Sequence, residues 1–186
     1  ADRWSLESRR VLFRSGGGAT SFRFGLQETT GALSSFVQTE AGTQPNTRES
    51  SALPLGAWHH VVCTADGSRL RVYRNGGLVS SVPYTGSLST AEVGPLGIGA
   101  RLNTTGTGAN TATPGYWQGK IDDLAIWARA LNPSEISAIH QGGLLGLNLS
   151  QIDATPPAGG VVITEFMASN SGAQLDEDGD SSDWIE

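Results

Sequence analysis

Apolar positions alternate with polar ones most regularly between residues 58 and 82. Trp58-His59-His60-Val61-Val62-Cys63-Thr64 is rich in β-branched and aromatic residues, as are Leu70-Arg71-Val72-Tyr73-Arg74 and Leu78-Val79-Ser80-Ser81-Val82. Asp66-Gly67 separates the first run from the second, and Asn75-Gly76 the second from the third. Such pairs supply the positive φ angles that tight hairpins need. Three β-prone runs joined by two of these turns predict an antiparallel meander.

Weaker β patterns flank it. Phe22, Phe24 and Leu26 share one face of a period-2 run, and Leu33, Phe36 and Val37 suggest another strand. Residues 41–50 are polar and read as a loop. Leu96-Gly97-Ile98-Gly99-Ala100 reads as a short strand, and 103–115 (NTTGTGANTATPG) as a mobile surface loop. Trp117 to Trp127 predicts a further strand, with Ile121, Leu124 and Ile126 apolar and Asp122 and Asp123 embedded. Paired acids in a buried strand are costly unless satisfied. Asn132-Pro133-Ser134-Glu135 has the form of a capped helix start. Ile136 and Ile139 extend it for about two turns, His140 ends it, and Gly142-Gly143 stops it.

The ends read differently. Residues 1–15 carry four Arg, and two readings stand: Val11-Leu12-Phe13-Arg14-Ser15 as the first strand, turning at Gly16-Gly17-Gly18, or a spurious segment foreign to the domain. Residues 144–160 read as a linker, with Thr155 to Gly160 a stiff-then-flexible spacer. A new strand is expected at Val161 to Phe166, followed by the acidic run 175–183. From its start, Ala-Asp-Arg, and its end, Trp184-Ile185-Glu186, the sequence is expected to be a fragment of a larger chain.

In order, Leu55-Gly56-Ala57-Trp58-His59-His60-Val61-Val62, Asp66-Gly67, Leu70-Arg71-Val72-Tyr73-Arg74-Asn75-Gly76 and Leu96-Gly97-Ile98-Gly99 resemble blocks of the bacterial laminin-G-like domain. So do Gly119-Lys120-Ile121-Asp122-Asp123-Leu124-Ala125-Ile126-Trp127 and Ala130-Leu131-Asn132-Pro133-Ser134-Glu135-Ile136. The resemblance implies an all-β fold: a two-sheet antiparallel jelly-roll sandwich of the concanavalin A-like lectin class, over residues 16–143, with one short C-terminal helix. It also implies that Trp58 and Trp127 are buried. Arg74 departs from the pattern, because that position is commonly apolar. Residues 161–186 are similar to the start of a lamin-tail domain, which implies a multidomain exported protein of bacterial origin.

Charge narrows the partners. The net charge of −6 argues against nucleic acid, whose phosphates need a basic footprint, and against an anionic membrane surface. No apolar run is long enough to span a membrane. The single cysteine, Cys63, excludes an intrachain disulfide and reads as a small buried side chain.

Catalytic constellations are not visible. There is no G-x-S-x-G, H-E-x-x-H or phosphate loop. His59 and His60 are neighbours in a strand and point to opposite faces. Glucanases of the resembled class use a spaced carboxylate pair, whereas Asp122 and Asp123 are adjacent, so no enzyme is expected. Structural Ca²⁺ is the one cofactor considered, held by Asp122 or Asp123 with carbonyls of loop 103–115, since calcium takes hard oxygen ligands. Asp176-Glu177-Asp178-Gly179-Asp180 reads as a solvated acidic turn, because its glycine falls at the wrong position for an EF-hand loop. Tyr84, Tyr116 and Trp117 flank polar loops and are the candidates for stacking on a sugar ring. The expectation is an extracellular or cell-surface recognition and adhesion module. It binds glycan or protein through a rim formed by 84–92 and 103–117, beside neighbouring domains. The alternatives are a ligand-free architectural spacer and an accessory carbohydrate-binding module of a hydrolase.

Overall fold

Asn75 (φ 52°) and Gly76 (φ 80°) both adopt the left-handed conformation in the computed structural model. That backbone twist suits a two-residue hairpin, and Asn and Gly reach it at least cost. It joins β6 (Arg69–Arg74) to β7 (Gly77–Pro83), with Arg74 opposite Gly77. At the other end, the turn through Asp66 and Gly67 joins β5 (Val61–Ala65) to β6, with Ala65 opposite Leu70. The expected meander is therefore present as the three-stranded sheet β5-β6-β7. It starts at Val61, so His59 and His60 lie ahead of the strand rather than in it. A bulge follows Val72, where Val72 pairs with Ser80 but Tyr73 pairs with Leu78.

The structure describes residues 11–15 (backbone only), 21–27, 29–90 and 95–152. The expected strand at 161–166, the resemblance to a lamin-tail start and the acidic run lie outside these residues. So does most of the expected linker.

A second antiparallel sheet has the order β4-β3-β2-β1-β8. Its strands are β1 (Val11–Ser15), β2 (Phe22–Leu26), β3 (Ala32–Val37), β4 (Asn46–Ala52) and β8 (Leu96–Ile98). β1 pairs with β2 through Phe13 and Phe24 and with β8 through Phe13 and Ile98, so it is an interior strand of this sheet. Residues 46–52, read partly as loop, form β4; its exposed-buried alternation carries Thr47 and Glu49 inward rather than apolar residues, which hid it from hydrophobic patterning.

The two sheets face each other across a core that is apolar at one end and polar at the other. Val37, Leu70 and Tyr84 are buried together, with Phe22, Cys63, Ala65 and Val82 packed against them. Further along, the sheets are bridged by polar side chains. Ser35 Oγ lies 2.8 Å from Cys63 Sγ, and Thr47 Oγ1 lies 2.6 Å from Ser80 Oγ. Arg74 Nε donates to Glu49 Oε1 at 2.9 Å, and Nη2 reaches the same oxygen. Arg74 departs from the apolar pattern because it neutralises Glu49, which is only 4% exposed. A buried carboxylate without such a partner costs several kcal/mol. Burial pushes the Cys63 thiol up to about 11, with Ser35 opposing.

The chain divides into two compact units, Ala1–Gly119 and Lys120–Glu186. Residues 117–127 do not form the expected strand; only Ala125 has a bridge partner. Two adjacent carboxylates that would have to be satisfied inside a strand are instead exposed, and Asp123 takes a left-handed φ of 49° that no strand accommodates. Helix α1 spans Pro133–Leu144, twelve residues rather than about two turns. Its start is as expected: Asn132 Oδ1 accepts from Glu135 N at 3.0 Å, and Asn132 N donates to Glu135 Oε2 at 2.7 Å. Its stop is Gly146 (φ 73°), not Gly142-Gly143, with Leu147 N donating to Gly142 O and Gly146 N to Gly143 O. This is a Schellman closure. His140 consequently lies within the helix rather than at its end.

Candidate ligand-binding rim

Three places around the sandwich differ in character, two of them within the rim expected at 84–92 and 103–117. Beside the Asp66 turn lies a shallow depression of about 580 Å³, lined by Asp66, Ser68, Tyr84, Ser87 and Leu88 among others. Its polar groups are already engaged. Asp66 Oδ1 accepts from Ser68 N (2.9 Å), Ser68 Oγ (2.7 Å) and Arg69 N (2.7 Å), while Oδ2 pairs with Arg71. The Arg71 guanidinium, aided by the Ser68 and Arg69 bonds and opposed by slight desolvation, holds the Asp66 carboxyl far below the usual carboxylate range. Tyr84 is 9% exposed, and its hydroxyl accepts from Gly67 N at 2.7 Å. Tyr84 is therefore not a rim aromatic. Its ring packs between the sheets and its hydroxyl ties down the turn, so neither offers a stacking face.

The opposite end of the same sheet carries Trp58, 64% exposed, where the resemblance implied burial. Its backbone is nonetheless fixed by its neighbours. His59 Nε2 lies 3.0 Å from Pro54 O and His59 Nδ1 3.4 Å from Asn75 Nδ2. An amide N–H is a donor only, so Nδ1 accepts and Nε2–H donates to Pro54. Asn75 Oδ1 in turn accepts from His60 N at 3.1 Å, and Asn75 N donates to His60 O at 2.7 Å. Hydrophobic patterning missed this exposed aromatic; the polar pair that follows it is the cue that the strand had not yet begun. In the second unit, Trp127 is half-buried rather than fully buried.

The third place is the ribbon that follows β8. Trp117 N donates to Gly99 O (2.7 Å), Arg101 N to Pro114 O (2.7 Å) and Asn110 N to Arg101 O (2.7 Å). The loop expected to be mobile is built from side-chain-capped turns. Asn103 Oδ1 accepts from Thr107 N and Thr105 Oγ1, and Asn110 Oδ1 from Ala112 N and Thr113 N. Asn and Thr supply these local bonds readily. Tyr116 stands out from the ribbon, 57% exposed. Trp117 beside it is half-buried, with its indole N–H enclosed and without a hydrogen-bond partner. Of the three aromatics named from sequence, the structure leaves Tyr116 accessible, Trp117 partly so and Tyr84 inaccessible.

The candidate metal ligands lie in the second unit. Asp122 and Asp123 are both exposed, and Asp122 Oδ1 accepts from Asp123 N at 3.0 Å. Partial burial raises the Asp123 carboxyl, with the Asp122 charge adding to it. Calcium takes six to eight oxygen ligands. Among the described residues no group of three or more His, Cys, Asp and Glu converges. In loop 103–115, Asn103 Oδ1, Asn110 Oδ1, Gly108 O and Pro114 O are engaged within the ribbon.

A model of the laminin-G-like family, described as the concanavalin A-like lectin/glucanases superfamily, matches residues 3–137. No curated protein matches the chain. Among solved structures, a native heptameric SAP-like pentraxin from Limulus polyphemus is similar, with a TM-score of 0.55 and 22% identity over 72% of this chain. The match spans 64% of the pentraxin chain. An S-layer domain-containing protein from Clostridium thermocellum (residues 221–444) matches 75% of this chain and 66% of its own at 23% identity, with a TM-score of 0.38. The pentraxin likeness shows a shared sandwich fold, and with the family match over residues 3–137 this chain belongs to the concanavalin A-like lectin/glucanases superfamily.

Proposed function

We propose that this chain is a non-catalytic recognition module, carried outside the cell, that binds glycan through the ribbon at 99–117. The observation that carries the proposal is Tyr116, an exposed aromatic on a loop whose turns are already hydrogen-bonded. A preformed loop avoids the ordering cost of binding, and a tyrosine face matches the apolar C–H face of a pyranose ring. Five of the described carboxylates suit a non-catalytic reading. Glu49, Asp66 and Glu135 are each paired to an arginine, and Asp122 and Asp123 are adjacent, unlike the spaced acid pair of a glycoside hydrolase. The jelly-roll family and the pentraxin likeness suit a ligand-binding module and leave its ligand open. Among the described residues no helix is long and apolar enough to cross a membrane.

A glycan array followed by calorimetric titration tests the proposal. Tyr116→Ala is expected to weaken binding of any glycan hit by about tenfold or more, the scale of losing an interface anchor, with unchanged melting temperature. An array without hits, or a hit indifferent to Tyr116→Ala, removes the basis for this reading and favours the architectural spacer.

A further inference from the structure

Arg101 is the one charged residue between Val93 and Gly119, a stretch without Asp or Glu in a chain that has 18 acidic residues. It contrasts with three of the chain's other arginines, while Arg48 and Arg69 likewise bond only neutral acceptors, Gln27 and Ser81. Arg71, Arg74 and Arg129 each meet a carboxylate. Arg101 has one side-chain bond, Nη1 to Thr113 Oγ1 at 3.1 Å, and meets no carboxylate among the described residues. A guanidinium presents five N–H donors in a planar fork, so most of this one is uncommitted while its direction is already set. The aromatic belongs to the same ribbon. Arg101 N donates to Pro114 O and Trp117 N to Gly99 O, so the ribbon's backbone is tied at Arg101 and at the residue following Tyr116. Thr113, which accepts from Arg101, is itself exposed.

From this juxtaposition we infer that the ligand of the ribbon is an anionic sugar, with a carboxylate or sulfate on Arg101 and the ring face on Tyr116. Resting on the proposed glycan-binding role, the inference names its chemical class. A neutral sugar would leave the guanidinium unused, whereas an oxyanion accepts two parallel N–H bonds from it. The chain's overall charge of −6 repels polyanions at long range, so recognition is short-range and confined to this acid-free stretch.

The test is calorimetric titration of the whole chain with trigalacturonate, its neutral methyl ester and a sulfated neutral trisaccharide. The expected result is at least tenfold tighter binding of an anionic form, carboxylate or sulfate, than of the methyl ester. Arg101→Gln should abolish that preference, Arg101→Lys should retain part of it, and both variants should melt like the parent. Equal binding of acid and ester, or a preference that survives Arg101→Gln, overturns the anionic inference but leaves glycan binding standing, provided Tyr116→Ala still weakens it. Failure of all three sugars, with binding only to protein, overturns both.

Discussion

Two polar loops at the margins of the sandwich, the Asp66 turn and the Arg101 ribbon, look alike in composition and behave as opposites. Each holds a charged side chain among Ser, Thr and Gly. Around Asp66 every acceptor is consumed: Ser68, Arg69 and Arg71 all donate to it, and the Tyr84 hydroxyl takes Gly67 N from below. Around Arg101 the backbone is equally well bonded, yet the guanidinium keeps most of its donors. A charge that is saturated by its own chain serves the fold. A charge that a rigid loop presents and leaves unsaturated is available to something else. Charge, exposure and loop setting do not separate the two; the count of bonds does.

Among the carboxylates that the chain pairs with arginine, the most severe break is at Glu49. It is buried between the sheets with Arg74, and its Oε2 has no partner of its own. Glu49→Ala strands the Arg74 charge, and the loss expected is about 3 kcal/mol or more in urea unfolding. Gly142→Ala follows. A Cβ there would stand 2.4 Å from Ile152 Cγ1, so about 1–3 kcal/mol of overpacking is expected. Gly143→Ala meets nothing within 4 Å and should instead stabilise by about 0.5–1 kcal/mol. If both substitutions shift the melting temperature the same way, the close approach of Ile152 is not what sets the sign.

Asp66→Ala is expected to cost about 1–2 kcal/mol, since several local bonds are lost at a partly exposed site. It should leave sugar binding unaltered, because the Asp66 turn is not the ribbon. Its pH dependence sharpens the contrast. The Asp66 and Glu135 carboxyls lie lower folded than unfolded, Glu135 at about 2. Their stabilisation is therefore complete above the unfolded carboxylate range and lost as pH falls toward their folded values. The melting temperature should be flat from pH 7 to about 5 and decline below about 4. Asp66→Asn should flatten part of that decline. Arg101→Gln should change neither the curve nor the stability by more than about 0.5 kcal/mol, the scale of an ordinary surface substitution.

Much of the fold was readable from residues close together in the chain. The meander follows from two dipeptides that reach positive φ cheaply, and the start of α1 from Asn132, Pro133 and Glu135, all within one turn. The misread elements share one cause. β4 carries its interior face as Thr47 and Glu49, which an apolar pattern does not register and which only Ser80 and Arg74 on the other sheet explain. Gly142-Gly143 had the composition of a stop, but Gly142 was small for Ile152 and the helix continued to Leu144. Tyr84 and Trp58 exchanged roles: the tyrosine beside a polar loop is core, and the tryptophan ahead of a strand is exposed.

By itself, then, the sequence determined the local conformations, the strand order of the meander and the absence of a basic footprint, because those depend on nearest neighbours and on net composition. Tertiary structure decided which polar residues are buried, which aromatics are accessible and which charge is left over. Those properties depend on partners brought together from distant strands, as Glu49 is with Arg74, and no spacing along the chain encodes that meeting.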